Sequence, residues 1–246
     1  MGNNMSHYWT QAAENYGRII EDELNSFRPA AWKSLILGEK GHPESLEILD
    51  VGTGPGFFSI ILSQEGHQVT GIDCSDGMIE IARKNTKRHG VWPIISKMDC
   101  QKMNFKANRF DLIISRNLTW TLKKPDDVYK QWLEILKPGG RVLIFDANWH
   151  HHYFDEKLME EVKYREERCI DIYGSTFSGA DNLEEKINIE LLPLSKEMRP
   201  DWDVQTLMNC GFREVDYQRD ITELVWDDKE RLLYGASPMF MISAAK

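Results

Sequence analysis

Three glycines, Gly52, Gly54 and Gly56, stand on alternate positions after an apolar run that ends in Asp50. Glycine permits positive φ angles and lets a ligand approach the backbone closely. If a helix begins directly after this loop, its first N–H groups favour anionic groups such as carboxylates. Asp73 stands 21 residues beyond Gly52, where a carboxylate can accept hydrogen bonds from both hydroxyls of a ribose. This spacing predicts a site for a nucleoside cofactor.

The glycine spacing also bears on which cofactor binds. Dinucleotide-binding loops read G-x-G-x-x-G, whereas this loop reads G-x-G-x-G. The Asp50 carboxylate would repel a pyrophosphate, and it suits a cofactor that carries an amino group or a sulfonium. The alternative is a tight strand-to-helix turn with an incidental acid, which a glycine motif alone does not exclude.

A second group of residues that could do chemistry lies in "FDANWHHHYFDE", residues 145–156. Its three consecutive histidines could be general bases, metal ligands or solvated residues. Adjacent side chains cannot all point one way and no standard ligand spacing completes a set, so no metal site is predicted. We predict His150, His151 and the preceding Asp146 as candidate bases. The alternative for each histidine is a surface or packing role.

Large aromatic residues accompany these histidines. Trp120 and Trp149 each follow a predicted strand, and Tyr153 and Phe154 come shortly after. Such rings could wall an apolar acceptor pocket or stabilise a cationic methyl group. Ordinary packing beneath a lid explains them equally well.

The elements that must position these residues follow from the hydrophobic pattern. Predicted strands cover residues 46–51, 67–73, 92–99, 110–115 and 141–147, and helices lie between them. A helix at 201–212 and strands at 213–221 and 238–245 follow. Alternation of this kind predicts an α/β fold with a doubly wound, seven-stranded, mostly parallel sheet.

The remaining segments flank this sheet. Residues 1–246 are predicted to form a single domain, in which residues 1–40 form an N-terminal helical cover with a break at Pro29. Residues 149–199 form an insertion after the fifth strand, with a charged helix at 155–174. We expect the cover and the insertion together to act as a lid.

Composition limits the function further. The chain has 246 residues and a net charge of −9, which disfavours nucleic acid as a partner because phosphates would be repelled. Its four cysteines show no C-x-x-C pairing, which is typical of free thiols in a reducing cytoplasm. The sequence holds no apolar run long enough to cross a membrane. The expected protein is cytoplasmic, without a membrane partner.

Five motifs in order resemble those of the class I S-adenosylmethionine-dependent methyltransferases. They are "ILDVGTGPGFFSI", "VTGIDCSDGMIEIARKN", "MDCQKMNF", "FDLIISRNLTW" and "WLEILKPGGRVLIFDAN". The resemblance covers residues 45–148, and "YWTQAAENYG" is similar to the segment that often closes over the cofactor in this family. It implies a Rossmann-like methyltransferase fold, with S-adenosylmethionine as cofactor.

The resemblance also implies roles for individual residues. Gly52 and Gly54 would pass beneath the methionine part of the cofactor, Asp50 would help to hold its amino group, and Asp73 would hold the ribose. Further cofactor contacts are implied for Tyr8, Tyr16, Cys74, Met78, Asp99, Cys100 and Arg116. Cys74 and Met78 would line the adenine slot, while Arg116 would act through its backbone. Tyr8 and Tyr16 would cover the cofactor.

The methyl acceptor is less well defined. After the fourth strand the chain reads "SRNLTW", which lacks the Asn/Asp-Pro-Pro-aromatic motif of methyltransferases that modify planar nitrogens. We therefore expect a small-molecule acceptor and an in-line transfer. Aminocarboxypropyl transfer from the same cofactor and non-catalytic cofactor binding remain alternatives, and a nicotinamide dehydrogenase is a distant one.

Overall fold

A computed structural model describes residues 4–38, 44–176 and 189–246. It contains one seven-stranded sheet with the strand order β3-β2-β1-β4-β5-β7-β6. The strands are β1 (Glu47–Val51), β2 (Gln68–Asp73), β3 (Ile94–Lys97), β4 (Phe110–Arg116), β5 (Leu136–Asp146), β6 (Arg213–Gln218) and β7 (Phe240–Ala245). β7 is antiparallel to both of its neighbours, and the other pairs are parallel. The predicted fold class is confirmed.

Helices flank both faces of this sheet. They are α1 (Asn4–Leu24), α2 (Arg28–Leu37), α3 (Phe57–Gln64), α4 (Asp76–Arg88), α5 (Pro125–Ile135), α6 (Glu156–Tyr173), α7 (Asp201–Cys210), α8 (Thr222–Val225) and α9 (Asp228–Tyr234). Short 3-10 turns cover Thr119–Thr121, His151–Phe154, Ile189–Leu191 and Pro193–Ser195. The predicted break at Pro29 falls between α1 and α2, where proline is tolerated in the first turn of α2.

The core has two layers because neighbouring residues of a strand point to opposite faces. On one face Leu49 and Ile113 pack with α5 and α7 around Trp132. On the other face Ile48 and Ile114 pack with α1, α2, α3 and α8. Both layers are apolar, which is why β1 and β4 read as continuous hydrophobic runs.

Strand order reverses between β1 and β4, since β2 and β3 continue to one side and β5 to the other. In a parallel α/β sheet, ligands bind outside the carboxyl ends of the strands at such a point. The loops after β1, β2, β4 and β5 therefore surround one place, and these loops carry the residues singled out in the sequence.

Several predicted boundaries were wrong. β5 begins at Leu136 and not at the predicted residue 141, and it includes Pro138 and Gly139, which a register shift against β4 between Phe110 and Leu112 accommodates. β6 ends at Gln218. The helices α8 and α9 were not predicted, although Asp227 and Glu230 form a reciprocal capping box at the start of α9.

The insertion is described in part, and residues 177–188 lie outside the described residues. The predicted charged helix is present as α6, capped by Asp155 and ended by Gly174 with φ of 80°. Arg165 of α6 donates to the backbone carbonyls of Arg231 and Leu232 in α9, at 3.2 and 3.1 Å. These contacts tie α6 to the domain, and its action as a lid stays a prediction.

Candidate functional site

The glycine loop connects β1 to α3 and has the predicted backbone geometry. Gly52, Gly54 and Gly56 have φ angles of 72°, 52° and 96°. A Cβ atom disfavours all three conformations, so glycine is required for the turn. Phe57 begins α3 directly after Gly56, and the N-terminus of that helix therefore lies against the loop.

The side chain of Asp50 is hydrogen-bonded to this loop and to α3. Its carboxylate oxygen Oδ2 accepts hydrogen bonds from the Thr53 hydroxyl at 2.6 Å, the Ser59 hydroxyl at 2.8 Å and the Ser59 backbone N–H at 3.0 Å. Burial raises the pKa of Asp50, while these donors lower it in part. The implied contact with the amino group of the cofactor stays a prediction, because one carboxylate oxygen is already occupied by protein donors.

Asp73 is the last residue of β2 and lies beside the same loop. Its Oδ2 accepts from the Gly54 backbone N–H at 3.1 Å, and its Oδ1 accepts from the Ser75 backbone N–H at 2.8 Å. Burial raises the pKa of Asp73 to about 6. The carboxylate is thus held by neutral donors and would gain from further hydrogen-bond donors such as the hydroxyls of a ribose.

The residues implied for the adenine end gather after β2 and β3. Burial, followed by the carboxylate of Asp73, raises the pKa of the Cys74 thiol to about 11, and burial followed by Asp99 raises that of Cys100. Both thiols therefore stay protonated at neutral pH. Met78 is 2% exposed in the first turn of α4, so packing accounts for part of its role.

Helix α1 crosses above these strand ends. The Ser6 hydroxyl donates to the Cys74 carbonyl at 2.9 Å, and Thr10 and Ser75 share a hydrogen bond of 3.0 Å. Close packing is possible because Gly77 of α4 has no side chain: a Cβ there would lie 2.7 Å from the Thr10 carbonyl oxygen. The structure thus brings α1 to the cofactor side of the sheet.

An aromatic layer runs from the glycine loop across this helix. A ring carbon of Tyr16 lies 3.9 Å from the position of a Cβ on Gly54, and Tyr16 packs against Trp9 with ring centroids 5.7 Å apart. Trp9 meets Tyr8 at 5.0 Å. Tyr8, 3% exposed, packs in one apolar cluster with Trp120. The two predicted tyrosines are therefore part of one continuous wall.

Arg116 lies at the end of β4, but its side chain turns into the core. The guanidinium pairs with Glu23 of α1 at 2.9 Å and lies over the ring of Phe57, 4.7 Å from its centroid. The implied role of Arg116 concerned its backbone, and that contact stays a prediction.

The three histidines separate as expected for consecutive residues. His150 is 8% exposed and packs its ring on Trp120 with centroids 4.7 Å apart. His151 is half-buried in the following turn, and His152 packs on Tyr153 at 4.3 Å. Among the described residues, no group of three or more acidic, histidine or cysteine side chains could hold a metal. The roles of His150 and His151 as bases stay predictions.

Asp146 does not have the environment of a general base. It is fully buried at the end of β5, and five donors surround its carboxylate. The donors are the Thr119 hydroxyl, the Arg199 guanidinium, the Trp149 indole and the backbone N–H groups of Trp120 and Ala147. A carboxylate occupied in this way has no free lone pair facing an acceptor, which corrects the interpretation of Asp146 as a base.

Arg199 is the centre of this buried network, and sequence reasoning missed it. It pairs with Asp146 at 3.0 Å and with Asp203 at 2.7 Å, and it donates to Thr119. Tyr129 donates to Asp203 from α5. The i,i+4 spacing of Arg199 and Asp203 could have indicated the second pair, whereas the first joins residues 53 positions apart.

Comparison with known proteins agrees with this architecture. A family model described as a methyltransferase domain matches residues 49–144. A ubiquinone/menaquinone biosynthesis C-methyltransferase of Shewanella pealeana is 25% identical over 81% of this chain and 79% of its own length. A putative methyltransferase of Bacillus subtilis is 26% identical over 88% of this chain and 94% of its own.

Solved structures share the fold. A putative S-adenosylmethionine-dependent methyltransferase of Methanococcus maripaludis aligns with a TM-score of 0.61 at 18% identity, over 96% of this chain and 93% of that chain. Fold and glycine loop together define a nucleoside-binding α/β protein. Residues 49–144 match a methyltransferase domain, and the protein is an S-adenosylmethionine-dependent methyltransferase with S-adenosylmethionine as cofactor. In the described part of the chain, no helix has the length and apolar character needed to span a membrane.

Proposed function

We propose that this enzyme transfers the methyl group of S-adenosylmethionine to a small, largely apolar molecule that binds beneath α1, with His150 as the general base. One observation carries the proposal: the aromatic layer that begins beside Gly54 and ends where Trp120 packs on His150. This layer extends from the cofactor loop to the ends of β4 and β5, where an acceptor would meet the methyl group.

Methyl transfer requires mainly that the two reactants are held in position and that water is excluded from them. The acceptor attacks the methyl carbon in line with the carbon–sulfur bond, the bond electrons pass to sulfur, and S-adenosylhomocysteine leaves. Holding the two reactants in contact supplies much of the rate. Aromatic faces stabilise the cationic methyl group and exclude water. If the acceptor carries a proton, the imidazole of His150 can take it.

The acceptor class follows from the groups around this layer. Asp146 and Arg116 are both held in buried ion pairs, so neither presents a free charge to an acceptor. The surface formed by Tyr8, Trp9 and Trp120 is apolar. An apolar surface favours an uncharged, ring-containing or aliphatic acceptor over a nucleic acid. The Shewanella relative is named for C-methylation in quinone biosynthesis, and carbon is accordingly the first acceptor atom to test here.

The first test is calorimetric titration of the purified protein with S-adenosylmethionine, S-adenosylhomocysteine and NAD. We expect the first two to bind and NAD not to bind. Binding of NAD alone would remove the proposal.

Turnover is then tested with apolar candidate acceptors and a cofactor that carries a labelled methyl group. We expect labelled product together with S-adenosylhomocysteine. The coproduct 5′-methylthioadenosine would indicate aminocarboxypropyl transfer instead, and tight binding without turnover of any acceptor would indicate a non-catalytic binding protein. The variant His150→Gln should keep its affinity for S-adenosylhomocysteine and lose turnover at least tenfold. The matched control is His89→Gln, at the position directly after α4 and beside Glu21, which should leave turnover unchanged.

A further inference from the structure

The five donors around Asp146 divide between its two carboxylate oxygens. Oδ2 accepts from the Thr119 hydroxyl, from the Trp120 backbone N–H at 3.1 Å and from the Arg199 guanidinium at 3.0 Å. Oδ1 accepts from the backbone N–H of the following residue at 3.0 Å and from the Trp149 indole N–H at 2.9 Å. One oxygen is therefore bonded to the backbone of one tryptophan, and the other oxygen to the ring of a second tryptophan.

Both tryptophans belong to the aromatic layer that we propose as the acceptor site. Trp120 is 5% exposed and packs its ring on His150 with centroids 4.7 Å apart. Trp149 is half-buried and packs against the apolar cluster that contains Tyr8 and Trp120. A single buried carboxylate thus contacts two of the residues that would border the acceptor.

Arg199 fixes the orientation of this carboxylate. Its Nη1 donates to Asp146 at 3.0 Å, while its Nε and Nη2 donate to the two oxygens of Asp203 at 2.7 and 3.1 Å. Because the guanidinium is planar and rigid, the pair with Asp203 determines where the third donor points. Asp203 in turn accepts from the Tyr129 hydroxyl of α5. The position of Asp146 is thereby tied to α5 and α7.

We propose that Asp146 is a positioning residue for methyl transfer, whose two oxygens hold Trp120 and Trp149 in the orientation that forms the acceptor pocket. An indole N–H without a fixed partner lets the ring turn about its side-chain torsions, and the bond to Oδ1 removes that freedom. A displacement of about 1 Å in a group that orients a reactant can lower the rate about 100-fold. The inference rests on the proposed function, since it takes the aromatic layer as the acceptor site.

The first test uses Asp146→Asn, which keeps the shape of the side chain. Asparagine has one acceptor oxygen, and Arg199 retains it, so the NH₂ group faces the Trp149 indole N–H. We expect affinity for 1-naphthol, an uncharged, ring-containing probe, to fall about tenfold because this hydrogen bond is lost. Affinity for S-adenosylhomocysteine should stay unchanged. Calorimetry measures both ligands, and circular dichroism shows that the variant is folded.

The double variant Asp146→Asn/Trp149→Phe distinguishes positioning from a general loss of structure. Phenylalanine keeps an aromatic ring and lacks the N–H, so Asp146 has no indole to hold in that background. The double variant should bind 1-naphthol within about twofold of Trp149→Phe alone. Two independent structural effects would instead multiply to a loss of about 100-fold.

The matched control is Asp203→Asn, which makes the same change in the other buried carboxylate that pairs with Arg199. It should leave the affinity for 1-naphthol unchanged. Nuclear magnetic resonance gives an independent measurement, in which the Trp149 indole N–H signal is identified by its absence from Trp149→Phe. That signal should shift in Asp146→Asn and stay in place in Asp203→Asn.

A second pair of variants leaves both carboxylates charged, so the inference can be tested even if Asp146→Asn does not fold. Thr119→Val removes a donor to Oδ2 and should weaken 1-naphthol binding several-fold, whereas Thr119→Ser keeps the hydroxyl and should bind like the native protein. Equal affinities in these two variants would overturn the inference.

The remaining outcomes separate the inference from the proposed function. Native affinity for 1-naphthol in Asp146→Asn, or equal weakening of S-adenosylhomocysteine in that variant, would overturn the positioning role and leave the proposed function in place. If the native protein binds S-adenosylhomocysteine but not 1-naphthol, the proposed apolar acceptor site fails, and the inference fails with it.

Discussion

Asp73 and Asp146 are the last residues of β2 and β5, and the surroundings of their carboxylates differ. Asp73 at the end of β2 is held by backbone N–H groups of neutral residues. Asp146 at the end of β5 is held by five donors, including the cationic Arg199. Burial raises the pKa of the Asp73 carboxylate, which has no cationic partner among the described residues, whereas the Asp146 carboxylate is paired with Arg199. We therefore expect Asp73 to receive hydrogen-bond donors from a ligand, whereas Asp146 and Arg199 hold the chain in place at the end of β5.

The largest expected effect comes from removing Arg199, the cationic partner of Asp146. In Arg199→Met, two buried carboxylates lose their cationic partner, and we expect the free energy of unfolding to fall by about 3 to 5 kcal/mol. Urea denaturation followed by circular dichroism measures it. Arg219→Met, which removes an exposed pair with Asp201, is the control and should change stability little. Equal stability of Arg199→Met and the native protein would contradict the role given to the network.

The second test removes the carboxylate on the cofactor side. Asp73→Ala should weaken S-adenosylmethionine binding more than tenfold, because two hydrogen bonds to a charged acceptor are lost. Folding should be affected less than in Arg199→Met, since no buried partner charge is left behind. Calorimetric titration gives the affinity, and unchanged affinity would sink the assignment of this site.

A third test uses pH. Because the pKa of Asp73 is raised to about 6, the carboxyl group is protonated below that pH and accepts ribose hydroxyls poorly. Affinity for S-adenosylhomocysteine should therefore be about tenfold lower at pH 5 than at pH 7. The same shift makes the ligand-free protein less stable as pH rises from about 4 through 6, since the folded chain binds this proton more tightly than the unfolded chain.

The control for this titration is Asp73→Asn, in which the dependence between pH 5 and pH 7 should disappear. A full pH dependence in that variant would assign the effect to another group.

The smallest expected effect concerns α1 as a cover. In Gly77→Ala, the new methyl group would lie 2.7 Å from the Thr10 carbonyl oxygen and 2.9 Å from the Ala13 side chain. Helix α1 must shift, and we expect a few-fold weaker affinity for S-adenosylhomocysteine. Lys87→Ala, an exposed position on the same helix, is the control for helix propensity. Identical affinities of Gly77→Ala and Lys87→Ala for S-adenosylhomocysteine would show that the position of α1 does not affect cofactor binding.

The two sides of the sheet also differ in how far the sequence predicts them. The glycine loop could be predicted because a positive φ angle is a local property of the backbone, and glycine, the residue type at positions 52, 54 and 56, adopts it readily. The strands were predictable for a related reason, since burial on both faces gives uninterrupted apolar runs. The position of Asp73 followed from its place at the end of such a run.

The β5 side could not be predicted in the same way. The interpretation of Asp146 as a base was wrong because its partner, Arg199, stands 53 residues away and meets it only in the folded chain. Residue type indicated chemistry at Asp146, but only the tertiary contacts distinguish a free group from an occupied one.

The two ends of the insertion meet at one point. The side chain of Asn148 donates to the Arg199 carbonyl at 2.9 Å and accepts from the Arg199 backbone N–H at 3.2 Å. Residues 149–198 thus begin and end beside one hydrogen-bonded pair, and Arg165 adds contacts to α9. Loop-closure entropy grows slowly, by about 0.6 kcal/mol for each doubling of length, so the Asn148–Arg199 pair can join the ends of segments of very different size. We therefore expect that evolution, or a protein engineer, can exchange the segment between these two residues while β1, β2 and the loops after them keep their structure.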